Sequence, residues 1–156
     1  RCIGENYYEA ILKSMLSVGH RVPKKNILIS SGPTRSKVEL LNSTRMLIEK
    51  GYTIYSTAGT AKFFKENGID TQILYWPDED KEPNIMEYLH DRKIDLVINI
   101  PKNHTKRELD NGYKIRRAAV DYNIPLITNA RLASAFIYAI CKVDPTEIAI
   151  KSWDEY

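Results

Sequence analysis

The stretch "DLVINI" (residues 95–100) decides how this chain folds. Four of its six residues, Leu96, Val97, Ile98 and Ile100, favour extended backbone and burial, and these apolar side chains fall on both faces of any strand it forms. A strand buried on both faces belongs to a parallel sheet covered by helices. Short runs of the same kind recur at "NILIS" (26–30), "YTIYS" (52–56), "TQILYW" (71–76) and "PLIT" (125–128).

Helical spacing fills the intervals. The pattern predicts helices over about 35–50, ended by Gly51, and 60–67, ended by Gly68. It predicts further helices near 84–91, over 113–122, and from a cap at Asn129 through Cys141, with a polar loop over 101–112. Ahead of these, residues 5–18 place Tyr8, Ile11, Leu12, Met15 and Leu16 at helical spacing, and "GHRVPKK" then reads as a linker. The closing "EIAIKSWDEY" reads as a short strand or as nothing regular. Strands alternating with helices predict an α/β fold: a three-layer, Rossmann-like domain with a five-stranded parallel sheet flanked by helices.

Composition narrows the function classes. The chain has 156 residues, about one domain, with 43% apolar and 28% charged residues, ordinary for a soluble protein. Its 23 basic residues against 20 acidic ones leave a net charge of +3. No basic stripe interleaved with aromatics accompanies that charge, so nucleic acid is not expected as a partner. No apolar run is long enough to span a bilayer and no signal-like start is visible, so neither is a membrane. Cys2 and Cys141 are too few for a disulfide scaffold and too isolated for a metal site, which predicts a cytoplasmic setting and no bound metal. The chain starts at Arg1 rather than methionine and is expected to be part of something longer.

In parallel α/β sheets ligands sit beyond the carboxyl ends of the strands. Three of the loops there combine hydroxyls or amides with positive charge. "SSGPTRSK" carries Ser31, Thr34, Arg35, Ser36 and Lys37; "STAGT" carries Thr57, Gly59 and Thr60 at a helix start; "NIPKNHTKR" carries Asn99, Lys102, Asn103, Thr105, Lys106 and Arg107. A helix N-terminus attracts an anion by about 0.3–1 kcal/mol or more, and Gly59 lets a ligand approach the backbone. Each part has a plainer reading. Thr57 or Thr60 can be a helix cap, Ser-Gly-Pro-Thr a turn, and the lysines a solvated loop. His20, His90 and His104 read as exposed polar residues, Arg116 and Arg117 as salt-bridge partners, and Asp78, Glu79 and Asp80 as an acidic surface loop.

Together, "YSTAGTAKFF", "DLVINIP", "GYKIRRAAVDYNIPLITN" and "ASAFIYAI" resemble the methylglyoxal-synthase-like domain, which closes the large subunit of carbamoyl-phosphate synthetases. The resemblance runs from about Lys25 to Cys141. "SKVELLNSTRMLIEKGYTIYSTAGTAKFF" is similar to the eukaryotic multifunctional pyrimidine synthetases. "GENYYEAILKSML" resembles the stretch by which synthetases leave their last ATP-grasp domain. The resemblance therefore implies a linker helix over 1–22 and an allosteric domain over 23–156. It implies no chemistry in this domain and no cofactor of its own, ATP with Mg or Mn belonging to the parent synthetase. The effector would be an anionic metabolite such as UMP, UTP, IMP, phosphoribosyl pyrophosphate or N-acetylglutamate. The protein partners would be upstream synthetase domains and the small glutaminase subunit, serving pyrimidine or arginine biosynthesis.

The family's anion-binding threonines fall on Thr57 and Thr60, a basic residue of the first loop near Arg35 or Lys37, and others on Asn99 and Lys102. Trp76 matches an effector-contacting tryptophan, whereas Pro77 stands where bacterial members carry a phosphate-binding lysine. The rival reading is methylglyoxal synthase itself. Its Gly-Gly-Asp turn corresponds here to Asp80-Lys81-Glu82 and its His-Asp-Pro-Asp stretch to Glu108-Leu109-Asp110-Asn111, so its glycines and histidine are missing. A third is a phosphosugar- or nucleotide-binding regulatory module of another protein.

Overall fold

The computed structural model describes residues 3–17, 22–102 and 105–142. Asn103, His104, His20, Cys2 and the 147–156 segment, all named above, lie outside the described residues. Five strands form one parallel sheet in the order β3-β2-β1-β4-β5: β1 Asn26–Ser31, β2 Thr53–Ser56, β3 Gln72–Ile73, β4 Leu96–Ile100 and β5 Leu126–Ile127. β4 is buried at every position and β1 at all but its first, as central strands covered on both faces must be.

Among the described residues six helices cover the sheet: α1 Ile3–Ser17, α2 Thr34–Glu49, α3 Ala58–Glu66, α4 Ile85–His90, α5 Lys106–Asp121 and α6 Ala130–Lys142. Alternate residues of β1, β2, β4 and β5 feed two cores. Ile27, Ile29, Leu96 and Ile98 pack with Leu40 and Leu47 of α2, Phe64 of α3 and Phe136 of α6. On the other face Leu28 and Val97 meet Ile85 and Leu89 of α4 and Ile115 of α5. Each such side chain, fully buried, contributes roughly 1.5–3 kcal/mol. Helix α1 joins the first core: it packs against α6 and buries Leu12 and Met15 there.

Two expected elements differ. β3 is two residues rather than six, because after Ile73 the chain leaves β2: Tyr75 instead bridges Asn84 and its N–H donates to the Pro83 carbonyl. Helix α5 starts at 106, where a loop is expected through 112. Thr105 caps it, its hydroxyl accepting from the Glu108 N–H, and Asn111, Ile115, Ala118 and Ala119 form one buried face. Asn111-Gly112 imitates a turn, but Thr105-Lys106-Arg107-Glu108 is the spacing of a capping box.

The site is placed by strand order. From β1 the chain crosses to β2 on one side, while β4 and β5 lie on the other, so the connections diverge above the β1–β4 pair. There Ser30 lies opposite Asn99 and Ser31 opposite Ile100.

Candidate functional site

Above that divergence lies a hollow of about 210 Å³. Its floor is the end of β1 and β4, with Ser30, Ser31 and Asn99; its sides are α3, the first turn of α2 and the start of α5. Lys37, Thr57, Gly59, Thr60, Trp76, Asn99 and Lys102 all line it. Arg35 does not: it lines a separate hollow of about 440 Å³ with Ser36, Glu39, Thr128, Asn129 and Arg131. Positions 35 and 37 are about 200° apart round a helix, so one residue excludes the other from the same hollow.

Thr57 occupies the cap position of α3, yet its side chain makes no capping bond. The first intrahelical bond runs from the Ala61 N–H to the Thr57 carbonyl at 2.8 Å, so the amides of Ala58, Gly59 and Thr60 have no partner within the helix. The threonine hydroxyls are engaged elsewhere. Thr57 Oγ1 and Ser30 Oγ share a hydrogen bond at 3.0 Å, and Thr57 Oγ1 lies 3.4 Å from Thr60 Oγ1. Thr60 Oγ1 accepts from the Ser31 N–H at 3.0 Å and stands 3.2 Å from the Ser31 carbonyl. Both threonines are buried, and Thr60 ties α3 to the end of β1. A chain of three hydroxyls thus borders the hollow, and beside it Ser31 Oγ is buried with no partner among the described residues. An orphaned buried hydroxyl costs roughly 1–3 kcal/mol.

Charge follows the same arrangement. Neither α2 nor α3 has an acidic residue in its first turn, and α2 also lacks a side-chain cap. Arg35 and Lys37 stand instead at the positive end of the α2 dipole, where an isolated helix disfavours cations. An anion in the hollow would relieve Lys37, Lys102 and two helix termini together. Glu108 is the one acidic residue lining the hollow among the described residues.

Gly32 shapes the rim. Its N–H donates to the Ile100 carbonyl at 2.9 Å, and a Cβ built on it would stand 2.2 Å from Lys102 Cβ and 2.6 Å from the Lys102 backbone N. Only glycine lets the two loops meet there. "SSGP" signals a turn, but nothing in it shows that a second loop lies against the turn.

Trp76 also walls a neighbouring hollow of about 230 Å³, shared with Thr105, Arg107, Glu108 and Asn111. Arg107 Nε donates to Asp78 Oδ2 at 2.6 Å, and its Nη2 reaches Asp78 Oδ1 and Glu79 Oε1 at 3.3 Å each. The Arg107 guanidinium, with a smaller hydrogen bond from the Asn111 side chain, holds the Asp78 carboxyl below the usual carboxylate range. Asn111 is buried, and its Oδ1 has no hydrogen-bond partner among the described residues. Its sequence signal was the buried face of α5, hidden by the Asn-Gly pair. Among the described residues no group of three His, Cys, Asp or Glu is placed to hold a metal ion, and no helix is long and apolar enough to cross a membrane.

A five-stranded parallel α/β domain whose ligand-sized hollow opens above the strand-order switch defines the class. The family model described as "MGS-like domain" matches residues 39–128, and the chain belongs to that family. It is 42% identical over 159 residues to "Multifunctional protein CAD" of Squalus acanthias, covering 93% of this chain and 7% of that protein. It is 37% identical over 146 residues to "Carbamoyl-phosphate synthase [ammonia], mitochondrial" of Homo sapiens, covering 90% of this chain and 10% of that protein. The fold is similar to the crystal structure of methylglyoxal synthase from Elizabethkingia anophelis, with a TM-score of 0.53 and 16% identity over 74% of this chain and 79% of that one.

Proposed function

We propose that this domain is the effector-binding regulatory module of a carbamoyl-phosphate synthetase, the anion of a phosphorylated metabolite occupying the 210 Å³ hollow. The single observation that carries the reading is the start of α3: three amides that the Thr57 side chain leaves uncapped, beside a Ser31 hydroxyl with no partner among the described residues and flanked by Lys37 and Lys102. The effector is a uridine nucleotide or phosphoribosyl pyrophosphate, with its remainder lying toward Trp76 and Asn99. The relatives' names support the synthetase setting, and in it α1 leads in from the preceding synthetase domain, in a cytoplasmic enzyme of pyrimidine biosynthesis. Regulation is then a difference in effector affinity between two arrangements of the whole enzyme, typically 1–3 kcal/mol and reciprocal for binding.

Thermal-shift and calorimetric titration with inorganic phosphate, UMP, UTP, IMP, phosphoribosyl pyrophosphate, ornithine and N-acetylglutamate tests this. A ligand at 100 times its dissociation constant stabilises by about 2.7 kcal/mol, which for a domain of this size raises Tm by roughly 5–10 °C. No shift with any phosphorylated ligand overturns the reading. The lyase reading has one observation in its favour, the Glu108 carboxylate at the hollow, since proton abstraction needs a base. Incubation with dihydroxyacetone phosphate separates the two: methylglyoxal formed at an enzymatic rate replaces the sensor with a catalyst.

A further inference from the structure

Trp76, with Glu108, lines both the anion hollow and the neighbouring one. Its backbone belongs to a tight turn, with the Glu79 N–H donating to the Trp76 carbonyl at 3.0 Å. One side of that turn is fixed from α4, where Asn84 Nδ2 donates to the carbonyls of Trp76 at 2.9 Å and Glu79 at 3.1 Å. The other side is fixed from α5, through the Arg107 fork on Asp78 and Glu79. The turn is short and closed on itself, so a displacement of its two carboxylates displaces the tryptophan.

We propose that Arg107 is a positioning residue: by clamping Asp78 and Glu79 it holds Trp76 as the wall against which the non-anionic part of the ligand rests. This rests on the reading of the hollow as an effector site. The guanidinium is turned onto the two carboxylates and does not line the anion hollow, so the site divides into halves that respond separately. Lys37, Lys102 and the α3 amides take the anion; the Arg107 clamp governs affinity for whatever is attached to it. A ligand that is only an anion is indifferent to Arg107, and a nucleotide is not.

The test uses Arg107→Ala and the swapped pair Arg107→Asp with Asp78→Arg, all in a Trp153→Phe background, so that Trp76 is the sole tryptophan. Acrylamide quenching of Trp76 is read without ligand, and dissociation constants for inorganic phosphate and for UTP are read by calorimetry. Arg107→Ala is expected to raise quenching, leave the phosphate constant unchanged and weaken UTP about two- to fivefold, the range of an exposed ion pair. The swapped pair is expected to bring quenching and UTP affinity back toward the parent. Unchanged quenching in Arg107→Ala, or equal weakening of phosphate and UTP, overturns the clamp. Failure of the parent itself to bind phosphate, UTP or any other phosphorylated ligand of the series above instead sinks the effector reading, and quenching still decides whether Arg107 positions Trp76.

Discussion

Replacing Gly59 by alanine separates the fold from the site, because the two effects have opposite signs. Gly59 lies in the first turn of α3, where a Cβ built on it meets nothing within 4 Å. Alanine therefore fits, and by helix propensity stabilises the domain by about 0.5–1 kcal/mol. For a chain of this length that is a rise in Tm of roughly 1–4 °C. The Cα–Cβ bonds of a helix tilt toward its N-terminus, so the new methyl leans over the free amides into the hollow. It holds an oxyanion away from the amides and loses at least one charge-assisted hydrogen bond, about 1.5–3 kcal/mol, or roughly 10- to 150-fold in affinity. Scanning fluorimetry gives the first quantity and calorimetry with inorganic phosphate the second. A raised Tm with unchanged phosphate affinity refutes the anion site. A lowered Tm refutes the open space beside Gly59.

Thr60→Ala is expected to lower stability by about 1–3 kcal/mol as well as phosphate affinity, since it strips a buried partner from the Ser31 N–H; chemical denaturation and calorimetry read the two losses, and Thr60→Ser restores most of both. Gly32→Ala brings a Cβ within 2.6 Å of the Lys102 backbone, so one loop must move. Overpacking of this kind costs about 1–3 kcal/mol, and both Tm and phosphate affinity are expected to fall. Asp78 titrates below its usual range when folded, so its clamp stabilises above the unfolded carboxylate pKa and is lost as pH falls through the folded one. The Tm difference between parent and Arg107→Ala is therefore expected to be constant from neutral pH down to about 5 and to vanish in the acid range below the ordinary carboxylate pKa of about 3.9. A difference that persists below pH 2 removes the clamp.

The strand alternation was legible because burial on both faces leaves only one pattern, and β1 and β4 carry it without interruption. The start of α5 was not, because two local signals conflict there. Asn111-Gly112 favours a turn, while Thr105 and Glu108 favour a helix start; packing of Ile115, Ala118 and Ala119 against β1 and β4 settles it for the helix. Likewise "TQILYW" has the composition of a long strand, but an edge strand lasts only as long as its neighbour, and β2 ends at Ser56.

The candidate site was legible as residue types but not as sides. Thr57 and Thr60 read as a cap or as ligands, and the structure gives their hydroxyls a third use, joining α3 to β1 while the amides beside them stay open. Arg35 and Lys37 read as interchangeable members of one basic loop until the first residue of α2 is known. Once Pro33 ends the loop and Thr34 starts the helix, phase alone turns Lys37 toward the hollow and Arg35 toward Arg131. The helix start therefore determines which cation meets the anion.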